Sequence, residues 1–483
     1  MKKYITTAIP YANAVPHIGT AMDYLYGDIL LRYWSANGDD VLMSVGTDEH
    51  GTKVAQKAAD ENILPQEFVD NLQKHFKEMR MALNLKSDNL LDVRTTNPEH
   101  KRRVQEIWKK LDENKLIYKH AYEGWYCTGC EAFVTETEAR EMDYNCSDHN
   151  KKLERLSEEN YYLRVSQFEK EIRKFIETSI VPEFRGKELL EMIKDGVQDV
   201  SISRPREKLE WGVPVPGDDS QVMYVWVDAL SNYITALGYP DKNWNADFWP
   251  ADVEIVGKDI LRFHAIIWPA ILLGVGLDLP KKILVHGFIN VDGQKMSKSL
   301  GNVVAPSEII EKYGADAFRY YFTRHIPTFE DGDFTWEKFE TAHNGELAND
   351  LGNLVSRVAN MIKKYEISRE NLPNKLKINE NFADAIENFE TQKALEMIWG
   401  LVQQQNQFID ENQPWQLAKT DHEKLEDVMT TLWQNLLDIA NYLAPFLPET
   451  AQKIHNIFSG KKLPDEIPIL FPKKYLHTEE PKR

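Results

Sequence analysis

The sequence predicts an α/β protein: a parallel sheet split by a cysteine-bearing insertion, followed by an all-α helical bundle. Three observations predict it. A strand, a helix and a second strand follow one another within residues 4–45, the cysteines all fall within residues 127–146, and beyond about residue 345 the apolar spacing becomes helical. At 483 residues the chain exceeds a single domain. Hydrophobic residues at 42% and charged residues at 28% describe a globular protein, neither disordered nor collagenous. No apolar run reaches the roughly 18 residues of a membrane span. The opening MKKYITTAIPYAN lacks the apolar core of a secretory signal, so a cytoplasmic enzyme is expected. The net charge of −18 speaks against a wholly basic nucleic-acid binder, although a local basic face can coexist with it.

In chain order, residues 4–9 read as a buried strand ended by Pro10. Met22, Leu25, Tyr26, Ile29, Leu30 and Tyr33 then recur at helical spacing, with Asn37-Gly38 as the stop signal. Val41 to Val45 reads as the second strand, which completes a βαβ unit and a Rossmann-like sheet. The dinucleotide fingerprint G-x-G-x-x-G is absent, which argues against the usual reading of NAD. Strand signals return at Gln221–Val227, Val253–Gly257 and Ile283–His286 as the second half of the sheet. Asp292-Gly293 centres a hairpin over Phe288 to Met296. The expected division is a first catalytic half at 1–114, an insertion at 115–220, the second half at 221–294, a loop and stem-contact region at 295–345, a helical domain at 346–457, and a tail at 458–483.

Three constellations carry chemistry. His17-Ile18-Gly19-Thr20 opens the first helix, where free N–H groups and a partial positive charge attract phosphate. Alone it is a weak signal, since a histidine there is more often a cap. Lys295-Met296-Ser297-Lys298-Ser299 follows the hairpin, and two lysines on a loop suit a developing pyrophosphate charge. Alone this is a solvated loop; on the other half of a split sheet, the two together are specific. Cys127-x2-Cys130 and Cys146-x2-His149, with 15 residues between the pairs, make a complete tetrahedral shell for one structural zinc. The bland alternative is buried thiols beside an incidental histidine, but every cysteine of the chain is used.

These signatures resemble those of the class I aminoacyl-tRNA synthetases, and in closer detail the methionyl family. Ala8 to Asn13, Gly46 to Gly51, Tyr224 to Ala229, Gly257 to Asp259, His264, Trp268-Pro269 and Asn353 to Arg357 carry the likeness, from residue 4 to roughly 457. The resemblance implies that ATP is bound by His17, Gly19, Asp259 and Lys298, with His17, Thr20, Lys295 and Lys298 catalytic. It implies a methionine pocket of Ile9, Tyr11, Asp48, Arg204, Trp226, Ala229, Leu230, Tyr233 and His264, in which Asp48 meets the ammonium. It further implies Mg2+ with ATP, and tRNA(Met) read at its anticodon by Asn353, Arg357, Pro414 and Trp415, the last two placed in a loop. One departure stands out: the family's first signature usually ends in a second histidine, where this chain has Thr20. The insertion of about 100 residues leaves no room for the editing domain of the leucyl, isoleucyl and valyl enzymes. A clustered zinc knuckle is unlike the dispersed ligands of cysteinyl ones. A catalytically inactive tRNA-binding paralogue is the alternative from another class, and a monomer is expected.

Overall fold

The computed structural model describes the whole chain except residues 129–131, 147–150, 298–300, 369–377, 379–380 and 478–483. Its centre is a six-stranded parallel sheet built from β1 (Lys2–Thr7), β2 (Asp40–Thr47), β3 (Leu90–Arg94), β4 (Ile180–Val181), β5 (Val253–Gly257) and β6 (Ile283–His286). The order across the sheet is β3-β2-β1-β5-β6-β4, and every pair is parallel. Helices cover both faces, so the strands read as near-continuous buried runs rather than as alternations. At Gly46 an added Cβ would lie 2.2 Å from the Val93 carbonyl oxygen, so only glycine permits this approach of β2 to β3.

The first helix, α1 (Ile18–Ala36), spans the predicted stripe and stops at Asn37, with Gly38 at φ +90°. The hairpin forms between Ile289–Val291 and Gln294–Lys295. Asp292 and Gly293 both take positive φ, 51° and 73°, the twist a two-residue hairpin requires.

Two expectations need correction. Gln221–Val227 is not a strand of the main sheet. Asp218–Met223 instead pairs antiparallel with Ser203–Pro205 and Pro214–Val215, and Val225–Leu230 is a helix. The alternation of the stretch was genuine, but nearby antiparallel partners satisfy its backbone. The central sheet gains β3 and the two-residue β4, and β4 lies inside the 115–220 stretch. The second correction concerns Pro414-Trp415. It opens a helix, Pro414–Thr420, with proline at the first position, where its missing N–H costs nothing.

From Asn353 to Phe458 the described chain is helical. The tail that showed no period folds back: Leu470 and Phe471 are buried, and His477 stacks on Trp336 at 4.1 Å. Among the described residues no helix is long and apolar enough to cross a membrane. One apolar core runs from the sheet into the bundle, and a buried ion pair stitches the same junction. Arg319, fully buried, pairs with Asp28 of α1 at 2.7 Å and donates to the carbonyls of Phe446, Pro445 and Leu83. Replacing it leaves three buried carbonyls unmatched and costs about 3–5 kcal/mol. Arg319→Ala is therefore expected to lower unfolding stability in urea by that amount. Arg319→Lys, which cannot fork, should recover only part of the loss.

Candidate active site

Strand order reverses between β1 and β5, and open α/β sheets bind ligands in the crevice at the carboxyl ends of such strands. A cavity of about 520 Å³ lies there. The structure brings to it most of the residues singled out from sequence. His17, Gly19, Thr20, Asp259 and Lys295 line one end, and Ile9, Tyr11, Asp48, Trp226, Ala229, Leu230, Tyr233 and His264 the other. Arg204 is not among the lining residues. It donates to Ser201 Oγ and Ser203 O and lies 4.4 Å over the ring of Tyr224, which does line the cavity. Lys298 lies outside the described residues.

At the helix mouth, His17 is the N-cap of α1. Its Nδ1 accepts from the Gly19 N–H at 3.1 Å, which places the neutral ring's proton on Nε2 as a donor. A Cβ at Gly19 would sit 2.9 Å from the His17 ring, so glycine keeps that imidazole in place. Thr20 closes the capping box, its hydroxyl accepting from the His17 N–H at 3.5 Å. Asn302 ties the base of the lysine loop: its Oδ1 accepts from Ser297 N at 2.8 Å and its Nδ2 donates to Lys295 O.

The turn after β2 is pinned on both sides of Asp48. The Asp48 N–H donates to Pro10 O, and Ala12 N donates back to Asp48 O at 2.7 Å. Glu49 is consumed by Thr47, Thr96 and Arg94, and His50 by Asp228. Asp228 also takes His100 at 2.9 Å. Burial raises the Asp228 carboxyl, but the two imidazoles outweigh it and bring it down to about 2, so it stays ionised. Its helix carries Trp226, Ala229 and Leu230.

Trp226 stacks on Phe263 with ring centres 3.6 Å apart. His264 rides on a π-helical turn, Phe263–Ile267, a distortion that re-aims side chains. His264 Nδ1 donates to Ile260 O, so Nε2 accepts from the Tyr233 hydroxyl at 2.7 Å. Burial lowers this imidazole to about 4 despite the Ile260 carbonyl, so it is neutral. With both nitrogens engaged, this wall of the slot is uncharged and suits an apolar side chain.

Among the lining residues not singled out from sequence is an acid–imidazole pair, Asp23 and His286. Asp23, on α1, lies 3.1 Å from His286 Nε2, and His286 Nδ1 donates to Gly287 O. Burial raises Asp23 above the usual carboxylate range. Burial pulls His286 down, but Asp23 and the Gly287 carbonyl together raise it, so the pair retains a shared proton. The available signals were His286 as the last residue of a central strand and Asp23 one turn beyond Thr20.

In the helical domain, Arg357 pairs with Asp410 at 2.9 Å and lies 5.5 Å over the Trp415 ring. Trp415 is exposed, as is Asn353, whereas Pro414 is buried. In the insertion, Cys127 and Cys146 are buried in one small cluster with Ala139 and Leu153. Cys130 and His149 lie outside the described residues.

Comparison with known proteins agrees with this geometry. Residues 3–359 match the family model of class I tRNA synthetases (M), and residues 355–468 match the anticodon binding domain of methionyl tRNA ligase. A methionine–tRNA ligase of Clostridium acetobutylicum is 44% identical, over 94% of this chain and 72% of the relative. One from Brucella suis is 39% identical, over 95% and 92%. The methionyl-tRNA synthetase of Mycobacterium tuberculosis bound by methionyl-adenylate superposes with a TM-score of 0.88 at 34% identity, over 98% of this chain and 100% of that one. Its free form gives 0.82 at 31%, over 98% of each. The chain belongs to the methionyl family of class I tRNA synthetases.

Proposed function

We propose that the protein is a methionine–tRNA ligase that activates methionine with ATP and transfers it to tRNA(Met). The observation that carries this is one cavity lined both by the N-terminus of α1, a place suited to phosphate, and by an apolar slot beside the buried Asp48. Asp48 takes the methionine ammonium, with Arg204 close behind Tyr224. The thioether enters among Ile9, Tyr11, Trp226, Ala229, Leu230, Tyr233 and His264, whose aromatic edges suit sulfur. Asp259 takes the ATP ribose. Methionine's carboxylate then attacks the α-phosphate, the bond to the β-phosphate breaks, and pyrophosphate leaves. The terminal ribose hydroxyl of tRNA next attacks the adenylate carbonyl and releases AMP. His17, Thr20, Lys295 and Lys298 meet the charge that develops on the phosphates; positioning and fixed donors supply the catalysis without a covalent nucleophile. Mg2+ accompanies ATP.

Asn353, Arg357, Pro414 and Trp415 read the anticodon, an exposed indole under a guanidinium being suited to unstacked bases. One structural zinc is held by Cys127, Cys130, Cys146 and His149. The joint burial of Cys127 and Cys146 in one small cluster supports this, since a structural zinc draws its sulfur ligands from neighbouring cysteines. A reducing cytoplasm and a monomeric state fit the reading.

ATP–pyrophosphate exchange tests the activity: exchange is expected with methionine and with no other of the twenty amino acids. If another amino acid supports it, the pocket assignment fails. Base stacking is worth ~1–3 kcal/mol, so Trp415→Ala should lower tRNA charging roughly 5- to 150-fold while exchange holds. Unchanged charging in both Trp415→Ala and Arg357→Ala would remove the anticodon assignment. Metal analysis should return one zinc per chain, lost on Cys130→Ser with exchange retained in the folded protein.

A further inference from the structure

Behind the amino-acid end of the cavity, the sheet carries an acid that the reaction does not use. Glu254 is the second residue of β5 and is fully buried. In register it faces Thr6 of β1 on one side and Ile283 of β6 on the other. Its Oε1 accepts from Trp268 Nε1 at 2.9 Å. Its Oε2 has no hydrogen-bond partner among the described residues, nor has the Thr6 hydroxyl on the neighbouring strand. The titratable groups that face it are Tyr4 from β1 and Tyr233 from the helix Asn232–Thr235. Both are hydroxyls, and no cation among the described residues acts on it. A carboxylate in such a place would have neither a counter-charge nor donors enough for its lone pairs, so the acid form is the one that fits.

Trp268 links this acid to the site. Its indole meets the Tyr233 ring edge-on, centroids 5.7 Å apart. Tyr233 is held at its main chain as well, where its carbonyl accepts from the Tyr4 hydroxyl at 2.9 Å. The Tyr233 hydroxyl in turn donates to His264, and both side chains line the cavity. Every step is a fixed contact between buried groups, so a change in the charge of Glu254 reaches the slot through one aromatic ring.

We propose that Glu254 is a positioning residue of the methionine pocket, which holds the Trp268 indole and, through it, the Tyr233–His264 hydrogen bond. The inference rests on the methionine reading of the cavity. Its consequence is an affinity that depends on pH. Burial pushes Glu254 up to about 8, with the Trp268 hydrogen bond opposing, so the residue is neutral at pH 7 and ionises just above it. Ionisation places an uncompensated charge behind the slot, which must draw Trp268 or admit water, and either one disturbs Tyr233.

The test compares methionine KM and kcat in ATP–pyrophosphate exchange from pH 6.5 to 9.5 for the wild type, Glu254→Gln, Glu254→Ala and Trp268→Phe. Glutamine keeps the Oε1 acceptor and cannot ionise. The wild-type KM is expected to rise about tenfold from pH 7 to 9 around a midpoint near 8, with kcat little changed. Glu254→Gln should keep the neutral-pH KM and lose that rise. The amino group of methionine titrates equally in both proteins, so the difference between the profiles belongs to Glu254. Glu254→Ala and Trp268→Phe should raise the methionine KM about tenfold at pH 7 while leaving the ATP KM in place. The proposal is overturned if Glu254→Gln retains the alkaline rise, or if Trp268→Phe binds methionine as the wild type does. Absence of any methionine-dependent exchange in the wild type would instead overturn the methionine reading itself.

Discussion

The site depends on one buried carboxylate held between two imidazoles. Asp228 comes from the second half of the split sheet region, and His50 and His100 come from the first. All three are at most 3% exposed, so the contact is made without water and must be geometrically complete. An ionised carboxylate in that position cannot give up either partner cheaply, because the loss would leave a charge unmatched in a low-dielectric interior. The two halves of the fold, although separated by a long insertion, are thereby locked in one register. Trp226, Ala229 and Leu230 ride on the Asp228 helix, and Asp48 precedes His50 by two residues. One interaction therefore sets both walls of the amino-acid slot.

The same economy governs charge in the cavity. The stretch Thr47-Asp48-Glu49-His50 brings two acids to the end of β2, but Glu49 is spent on Arg94, Thr96 and Thr47. Of the two, it is Asp48 that lines the slot, and one carboxylate there suits a substrate with a single ammonium. Opposite it, His264 is kept neutral by burial, which outweighs the opposing Ile260 carbonyl, so the side-chain end offers no competing charge. Asp23 and His286, nearer the phosphate end, hold a proton between them and so add little net charge beside the incoming polyphosphate. Pairing Asp23 with His286 and Glu49 with Arg94 makes the cavity walls less acidic than the net charge of −18 alone would suggest.

Much of this was legible in the sequence where the chemistry is local. The β1–α1–β2 unit announced itself through periodicity, the hairpin through Asp292-Gly293, and the helical domain through its apolar stripes. Each is a case in which neighbouring residues decide the backbone. What could not be read was decided by distant partners. The two-residue β4 has no pattern of its own and exists because β6 offers it an edge. Gln221 to Met223 has the alternation of a strand and is one, but its partners at Ser203–Pro205 and Pro214–Val215 draw it away from the central sheet. For the site, His17, Lys295 and Asp48 stood within recognisable strings, whereas Asp23 and His286 are single residues 263 positions apart that only the fold brings together. The tail gave no signal because its burial is a matter of isolated side chains, Leu470, Phe471 and His477, on surfaces made elsewhere.

Thr20 shows how a departure from the family pattern can be absorbed. At the third position of α1 its hydroxyl serves the helix, accepting from the His17 N–H and thereby steadying a residue that lines the cavity. A hydroxyl engaged as an acceptor still has its own proton to donate, and Thr20 lines the cavity. Threonine at this place therefore carries two duties, a cap toward the helix and a neutral donor toward the ligand. What it lacks is an imidazole's length and the option of positive charge. In the reaction proposed above, that leaves more of the developing phosphate charge to His17 and to the lysine loop whose base Asn302 ties down. Lys295, which lines the same cavity, is exposed and takes no part in the cap.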